Sequence, residues 1–318
     1  PDIGGGQTGN KDLEVYLELG YVPHGGGHSS NTMEYAYDDF CVAQMAKALG
    51  KDDLHQQFMK RAESWRHLID PDIGFARPKD AGGNWIEPYE PLKKVEGWTE
   101  GNAWQYTWFV PHDPAALIKT IGTEPFVFNL NDGFEKSEPL RYNAPLEQYW
   151  DYPVCHGNQP AMQVSYLFNY AGMPWLTQKW NRSIQDRYYG YGVGDAYLGD
   201  EDQGQMSGWF IMAAIGLFQI DGGCRIDPIY EIASPRFDKV TLHLDPKYHA
   251  GGTFVIETRN ASKTNAYIQS ATLNGKSLDQ WWFPAKTVQA GGTLVLEMGP
   301  EPNKNWAAGK AALPPAPK

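Results

Sequence analysis

Two carboxylate settings in this chain have the surroundings that acid–base chemistry asks for. The first is Glu100, within Trp98-Thr99-Glu100-Gly101-Asn102-Ala103-Trp104-Gln105-Tyr106-Thr107-Trp108. A carboxyl group flanked by indoles beside a glycine turn is expected to be partly desolvated, which favours its neutral form and suits a general acid. The same residue also reads as a first-turn helix acid, favoured there by the helix dipole. The second setting is Asp200-Glu201-Asp202, followed by Gln203-Gly204-Gln205-Met206-Ser207-Gly208-Trp209. Three adjacent carboxylates repel one another and need a cation, a proton or nearby donors. In extended backbone Asp200 and Asp202 share one side, able to polarise a water together or to ligate a hard cation through oxygen. An acidic cap on the helix that follows is the competing reading.

A third string, Cys155-His156-Gly157-Asn158-Gln159-Pro160, carries amide oxygens that suit Ca²⁺, although neutral ligands need Asp or Glu from elsewhere to compensate its charge. A loop whose proline opens a helix is the alternative. Glu34 and Asp38-Asp39 lie on a helix with an apolar opposite face, which predicts solvation or inter-helix hydrogen bonding. Asp113 after His112 reads as a helix cap. Cys41, Cys155 and Cys224 are odd in number, far apart and without a Cys-x-x-Cys pair, so they read as reduced, mostly buried thiols.

The elements that must position these groups are mainly helical. Residues 1–30 read as a leading loop rich in Gly and polar residues. Asn31 or Thr32 caps a helix over 33–49 that Gly50 stops, and Leu54, Phe58, Ala62, Trp65 and Leu68 give the next segment an apolar stripe at helical period. Together they predict an antiparallel hairpin. Further helices are expected over 101–109, 114–121, 159–171, 174–189 and 203–217, separated by Gly-, Pro- and Asn-rich loops long enough to carry a site. From about 237 the period changes to two, and four short strands near 240–244, 253–257, 266–269 and 293–298 are expected to complete a sheet whose other strands lie elsewhere. Residues 304–318 read as a disordered tail. The domain reading is therefore a leading loop, a helical catalytic region over 31–236, a β region over 237–303 and the tail.

Composition narrows the function classes. The 318 residues carry a net charge of −11, which gives no general attraction for phosphate backbones or anionic lipid, so nucleic acid and membrane surfaces are not expected partners. No apolar run reaches the roughly 18 residues of a spanning helix, so no membrane insertion is expected. Aromatic residues make up 14%, enough flat surface for a thick core or for stacking sugar rings.

Tyr35-Ala36-Tyr37-Asp38-Asp39, Thr99 to Tyr106, Asn169-Tyr170-Ala171-Gly172 with Pro174-Trp175, and Asp200 to Ser207 occur in an order that resembles the calcium-dependent exo-α-mannosidases of glycoside hydrolase family 92. The resemblance runs over roughly residues 20–303. It implies an (α/α)6 toroid of helical hairpins, here incomplete, preceded by a β-sandwich domain and followed by a short C-terminal β region. It implies Glu100 as general acid and Asp202, assisted by Asp200, as general base. Inversion would follow, for which paired carboxyl groups stand about 6.5–9.5 Å apart. It implies contacts to mannose from Trp98, Asn102 and His156, and a Ca²⁺ ion held by Asn158, Gln159 and Asp202 that clamps the 2- and 3-hydroxyls of the sugar. The implied substrate is a terminal α-mannose of glycans such as N-glycans, and the implied location is secreted, periplasmic or at the bacterial cell surface.

Two departures matter. Family members commonly carry Gly-Asn-Glu-Pro where this chain has Gly157-Asn158-Gln159-Pro160, so a carboxylate becomes an amide. Members cleaving α-1,2 bonds tend to carry His-Glu where this chain has His156-Gly157, which leaves other linkages open. The chain is also about half the family's length, which predicts a fragment or a form that needs a preceding β-sandwich domain or partner chain. A truncated glycan-binding chain without catalysis, or another (α/α)6 glycosidase, are the competing functions.

Overall fold

The computed structural model describes residues 11–25, 28–93, 97–143, 152–196, 198–199, 202 and 204–317. These divide into two compact units, residues 1–137 with 144–155 and residues 138–143 with 156–317. The division falls inside the expected 31–236 helical region and not at 237.

The first unit is helical: α1 (Leu13–Leu19), α2 (Ser30–Ala48), α3 (Asp52–Arg61), α4 (Ala103–Thr107), α5 (Pro114–Ile121) and α6 (Thr123–Ser137), with one antiparallel pair, β1 (Ile69–Asp70) and β2 (Phe75–Ala76). The expected α2–α3 hairpin forms, turning at Gly50 with φ 69°. Asp39 locks it: its carboxylate accepts two bonds from Arg61 and one from the Tyr16 hydroxyl of α1 at 2.8 Å. The leading loop expected over 1–30 therefore contains a helix. α1 forms because Tyr16 and Val22 bury against Tyr35. Asp113 caps α5 as expected, accepting from Ala116 N at 3.1 Å.

α6 is not among the helices expected from sequence. Pro125 occupies the first turn, where it is tolerated, and Phe126, Leu130, Gly133 and Phe134 bury one face at helical period.

The second unit holds α7 (Leu167–Tyr170), α8 (Pro174–Arg187), α9 (Gln205–Ile215), β3 (Leu217–Phe218), β4 (Ile229–Ile232), β5 (Lys239–His243), β6 (Thr253–Arg259), β7 (Tyr267–Leu273), β8 (Lys276–Ser277), β9 (Trp282–Pro284), α10 (Lys286–Gln289) and β10 (Gly292–Gly299). The helix expected over 159–171 breaks into two 3₁₀ turns, Gln159–Ala161 and Val164–Tyr166, ahead of the short α7. The period-two strands do not complete a distant sheet. They pair with each other and with β8 in the order β5-β6-β10-β7-β8, parallel only between β6 and β10. Phe254, Ile256, Ile268, Leu294 and Leu296 alternate onto its buried face. A second, antiparallel sheet runs β3-β4-β9. Gln178 of α8 accepts from Ile268 N of β7 at 2.9 Å, so helix and sheet belong to one body.

The tail expected to be disordered is folded onto this unit. Trp306 is buried and donates to Leu278 O at 3.0 Å, while Trp282 donates to Ala312 O at 2.9 Å. Its Pro and Ala content signals irregular backbone, which two indole anchors hold around a single 3₁₀ turn at Lys310–Ala312.

Candidate active site

In the first unit the loop before α4 presents Glu100. Trp98 is 2% exposed and stacks on Tyr106 of α4 with ring centroids 5.5 Å apart. Ser30, at the start of α2, donates its N–H to Gly97 O at 3.0 Å, and its hydroxyl accepts from Thr99 N at 3.2 Å. Gly97 takes φ 102°, a conformation that side-chain-bearing residues rarely adopt. Glu100 itself is exposed, contrary to the desolvation expected from its flanking indoles. Trp98, Trp104 and Trp108 are buried, while the backbone at Glu100 takes φ 48°.

Asn102, expected at the sugar, is fully buried, and its amide is committed to the backbone. Its Oδ1 caps α4 by accepting from Gln105 N at 3.0 Å, and its Nδ2 donates to Leu92 O and Tyr152 O. It braces the Glu100 loop, and Trp98 floors it.

Behind the loop stands Glu34 of α2, half-buried, 3.1 Å from the Tyr106 hydroxyl. Burial pushes its carboxyl above the ordinary range, and the charges of Asp38 and Glu100 push the same way, against the Tyr106 hydrogen bond.

The second unit presents the His156–Gln159 loop and Asp202. His156 is 1% exposed, edge-on to Trp209 and Tyr188 at 4.3 and 4.9 Å between centroids. Burial pushes its pKa down to about 3, which keeps the imidazole neutral. Its Nε2 lies 3.0 Å from the Tyr189 hydroxyl, which donates to Met206 O at 3.1 Å, so Nε2 carries the proton. Asn158 is buried and caps the 3₁₀ turn that Pro160 enters, the helix-opening alternative.

Gln159 and Asp202 are exposed and brought together, Gln159 Nε2 donating to Asp202 Oδ2. That bond aims the amide nitrogen at the carboxylate and leaves Gln159 Oε1 as the free end of the group. Asp202 has φ 21°. Asp200, the expected helper, lies outside the described residues.

Gly157 explains the packing of this loop against 198–199. A Cβ there would come within 2.6 Å of Tyr188 Oη and 2.8 Å of Gly199 Cα, so no larger residue fits without displacement.

Among the described residues no cluster of three His, Cys, Asp or Glu forms a metal site. Of the expected metal ligands, Gln159 and Asp202 meet, while the Asn158 oxygen accepts from Gln159 N; oxygen donors of this kind suit a hard cation such as Ca²⁺ and not zinc. Cys155 is buried, and Cys41 and Cys224 are half-buried. No described helix is long and apolar enough to cross a membrane.

Residues 3–300 match the glycosyl hydrolase family 92 catalytic domain. A family GH92 α-mannosidase from Bacteroides thetaiotaomicron superposes with a TM-score of 0.84 at 36% identity, over 97% of this chain and 40% of that one. A family GH92 inverting mannosidase from Bacteroides thetaiotaomicron VPI-5482 gives 0.83 at 35%, over 95% and 42%. An uncharacterized secreted glycosidase of Arthroderma benhamiae is 28% identical, over 97% of this chain and 41% of the relative. The chain thus spans about 40% of the length of these relatives.

Proposed function

Because the chain belongs to glycosyl hydrolase family 92, we propose that it carries the acid and base of an exo-acting, inverting α-mannoside hydrolase that removes terminal mannose from glycans. The observation that carries this reading is that Glu100 and Asp202 are both exposed carboxylates on positive-φ backbone. Strained backbone of this kind concentrates at functional sites.

In this reading Glu100 protonates the leaving glycosidic oxygen and Asp202 takes a proton from the attacking water. Gln159 orients Asp202 by donating to Oδ2, which leaves Oδ1 for the water. Asp200 is proposed to assist Asp202. Neutral His156, locked among Trp209, Tyr188 and Tyr189, gives the sugar-facing loop a fixed wall without adding charge. Asn158, Gln159 and Asp202 would hold Ca²⁺, which supplies electrostatic polarisation of the sugar hydroxyls. By likeness to the secreted Arthroderma relative, we place the working protein outside the cytoplasm.

Hydrolysis of a p-nitrophenyl or disaccharide α-mannoside tests the reading. Glu100→Gln and Asp202→Asn are each expected to lower kcat by about 10²–10⁴, and EDTA to abolish turnover until Ca²⁺ is restored. Activity unchanged in both variants would refute it.

A further inference from the structure

The Tyr106 hydroxyl has more acceptors than protons. Its oxygen lies 2.8 Å from the Thr99 carbonyl and 3.1 Å from Glu34 Oε1. Burial holds the phenol protonated, so it has one proton to give. The Thr99 carbonyl accepts only. If the phenol donates to Thr99, the Glu34 contact is attractive only when Glu34 carries a proton and donates it to the phenol oxygen. An ionised Glu34 would instead draw the phenol proton to itself and leave Thr99 O without its donor.

Thr99 immediately precedes Glu100, whose loop is otherwise docked on the start of α2 through Gly97 O, Thr99 N and the contact of Thr99 Oγ1 with His28 Nδ1 at 3.1 Å. We propose that Glu34 is a positioning residue that, as a neutral donor, completes a Glu34–Tyr106–Thr99 hydrogen-bond chain and holds the loop bearing Glu100. This rests on the reading of Glu100 as the acid.

The groups facing Glu34 agree. Tyr106 approaches from α4, Glu100 from the loop and Asp38 from α2 itself, and both carboxylates disfavour a charge on Glu34. Ser30 adds a hydrogen bond at the Tyr106 hydroxyl. Loss of the Glu34 proton at rising pH would release Thr99, so the alkaline decline of activity would include the ionisation of Glu34.

¹³C-glutamate labelling of the protein, with Glu34→Gln to assign the resonance, follows the Glu34 carboxyl through pH. It is expected to stay protonated at the pH of the hydrolysis assay, above the ordinary glutamate value of about 4.3; a Glu34 ionised at that pH overturns the proposal. This arm needs no turnover, so it decides the state of Glu34 separately from the enzymatic reading. In an active protein, Glu34→Gln, which donates like the neutral acid, should keep kcat within about threefold at the optimum and remove the Glu34 ionisation from the alkaline limb. Glu34→Leu should lower kcat at least about tenfold with KM little changed. A Leu variant that matches the Gln variant overturns the proposal.

Discussion

At Glu100 and Asp202 the backbone takes φ of 48° and 21°, values that a residue with a Cβ adopts only at some cost. Neither is visible in sequence, where both positions read equally well as helix-terminal acids. The indole-rich string around Glu100 was legible as a special site. It misled on burial, because the rings are buried while the carboxyl is exposed. The Gln159–Asp202 bond was not legible, since it joins residues 43 apart along the chain. Two predictions belong at this scale. Gly157→Ala should displace Gly199 and the Tyr188 hydroxyl, costing about 1–3 kcal/mol by overpacking and lowering activity. Thermal melting checks the first and mannoside hydrolysis the second, and Gly157→Ala/Tyr188→Phe should recover little because Gly199 Cα still blocks the Cβ. Gln159→Glu replaces the donor to Asp202 by a second carboxylate. The metal-free protein should melt lower by roughly 1 kcal/mol of stability, with a larger upward shift on adding Ca²⁺ than the parent shows.

At the scale of elements, period was the reliable guide and punctuation the unreliable one. The α2–α3 hairpin, α5, α8, α9 and the strands β5, β6, β7 and β10 follow their apolar spacing closely. α6 lay outside the expected helices; its Pro125 sits in the first turn, and its Gly133 packs where the missing Cβ leaves room for Trp104. The tail escaped because a chain without periodicity can still be ordered by a few large side chains. Trp306→Ala should therefore cost about 3–5 kcal/mol, and scanning calorimetry should find the melting temperature lowered by roughly 10 °C. An unchanged melt would return residues 304–317 to the disordered state expected from composition.

For the whole molecule, pH dependence of stability has an identifiable source in the second unit. Glu231 of β4 is fully buried, accepts from Tyr170 at 2.8 Å, and lies near the Asp221–Arg225 ion pair. Burial, with the Asp221 charge, pushes its pKa up to about 8. A carboxyl raised from its unfolded value binds its proton more tightly when folded. Its stabilisation is complete below about pH 4.3 and is lost as pH rises through about 8, at no more than about 1.4 kcal/mol per pH unit. Glu231→Gln should flatten denaturant midpoints measured between pH 5 and 8; an unaltered slope would assign the dependence elsewhere.

The central claim is that Glu100 and Asp202 serve an inverting hydrolysis of α-mannosides. It is tested most directly by ¹H NMR of the first anomer released from an α-mannoside, before mutarotation. The account predicts β-mannose, lost on Glu100→Gln. Release of α-mannose, or β-mannose at the parent rate from the Glu100→Gln protein, would contradict it.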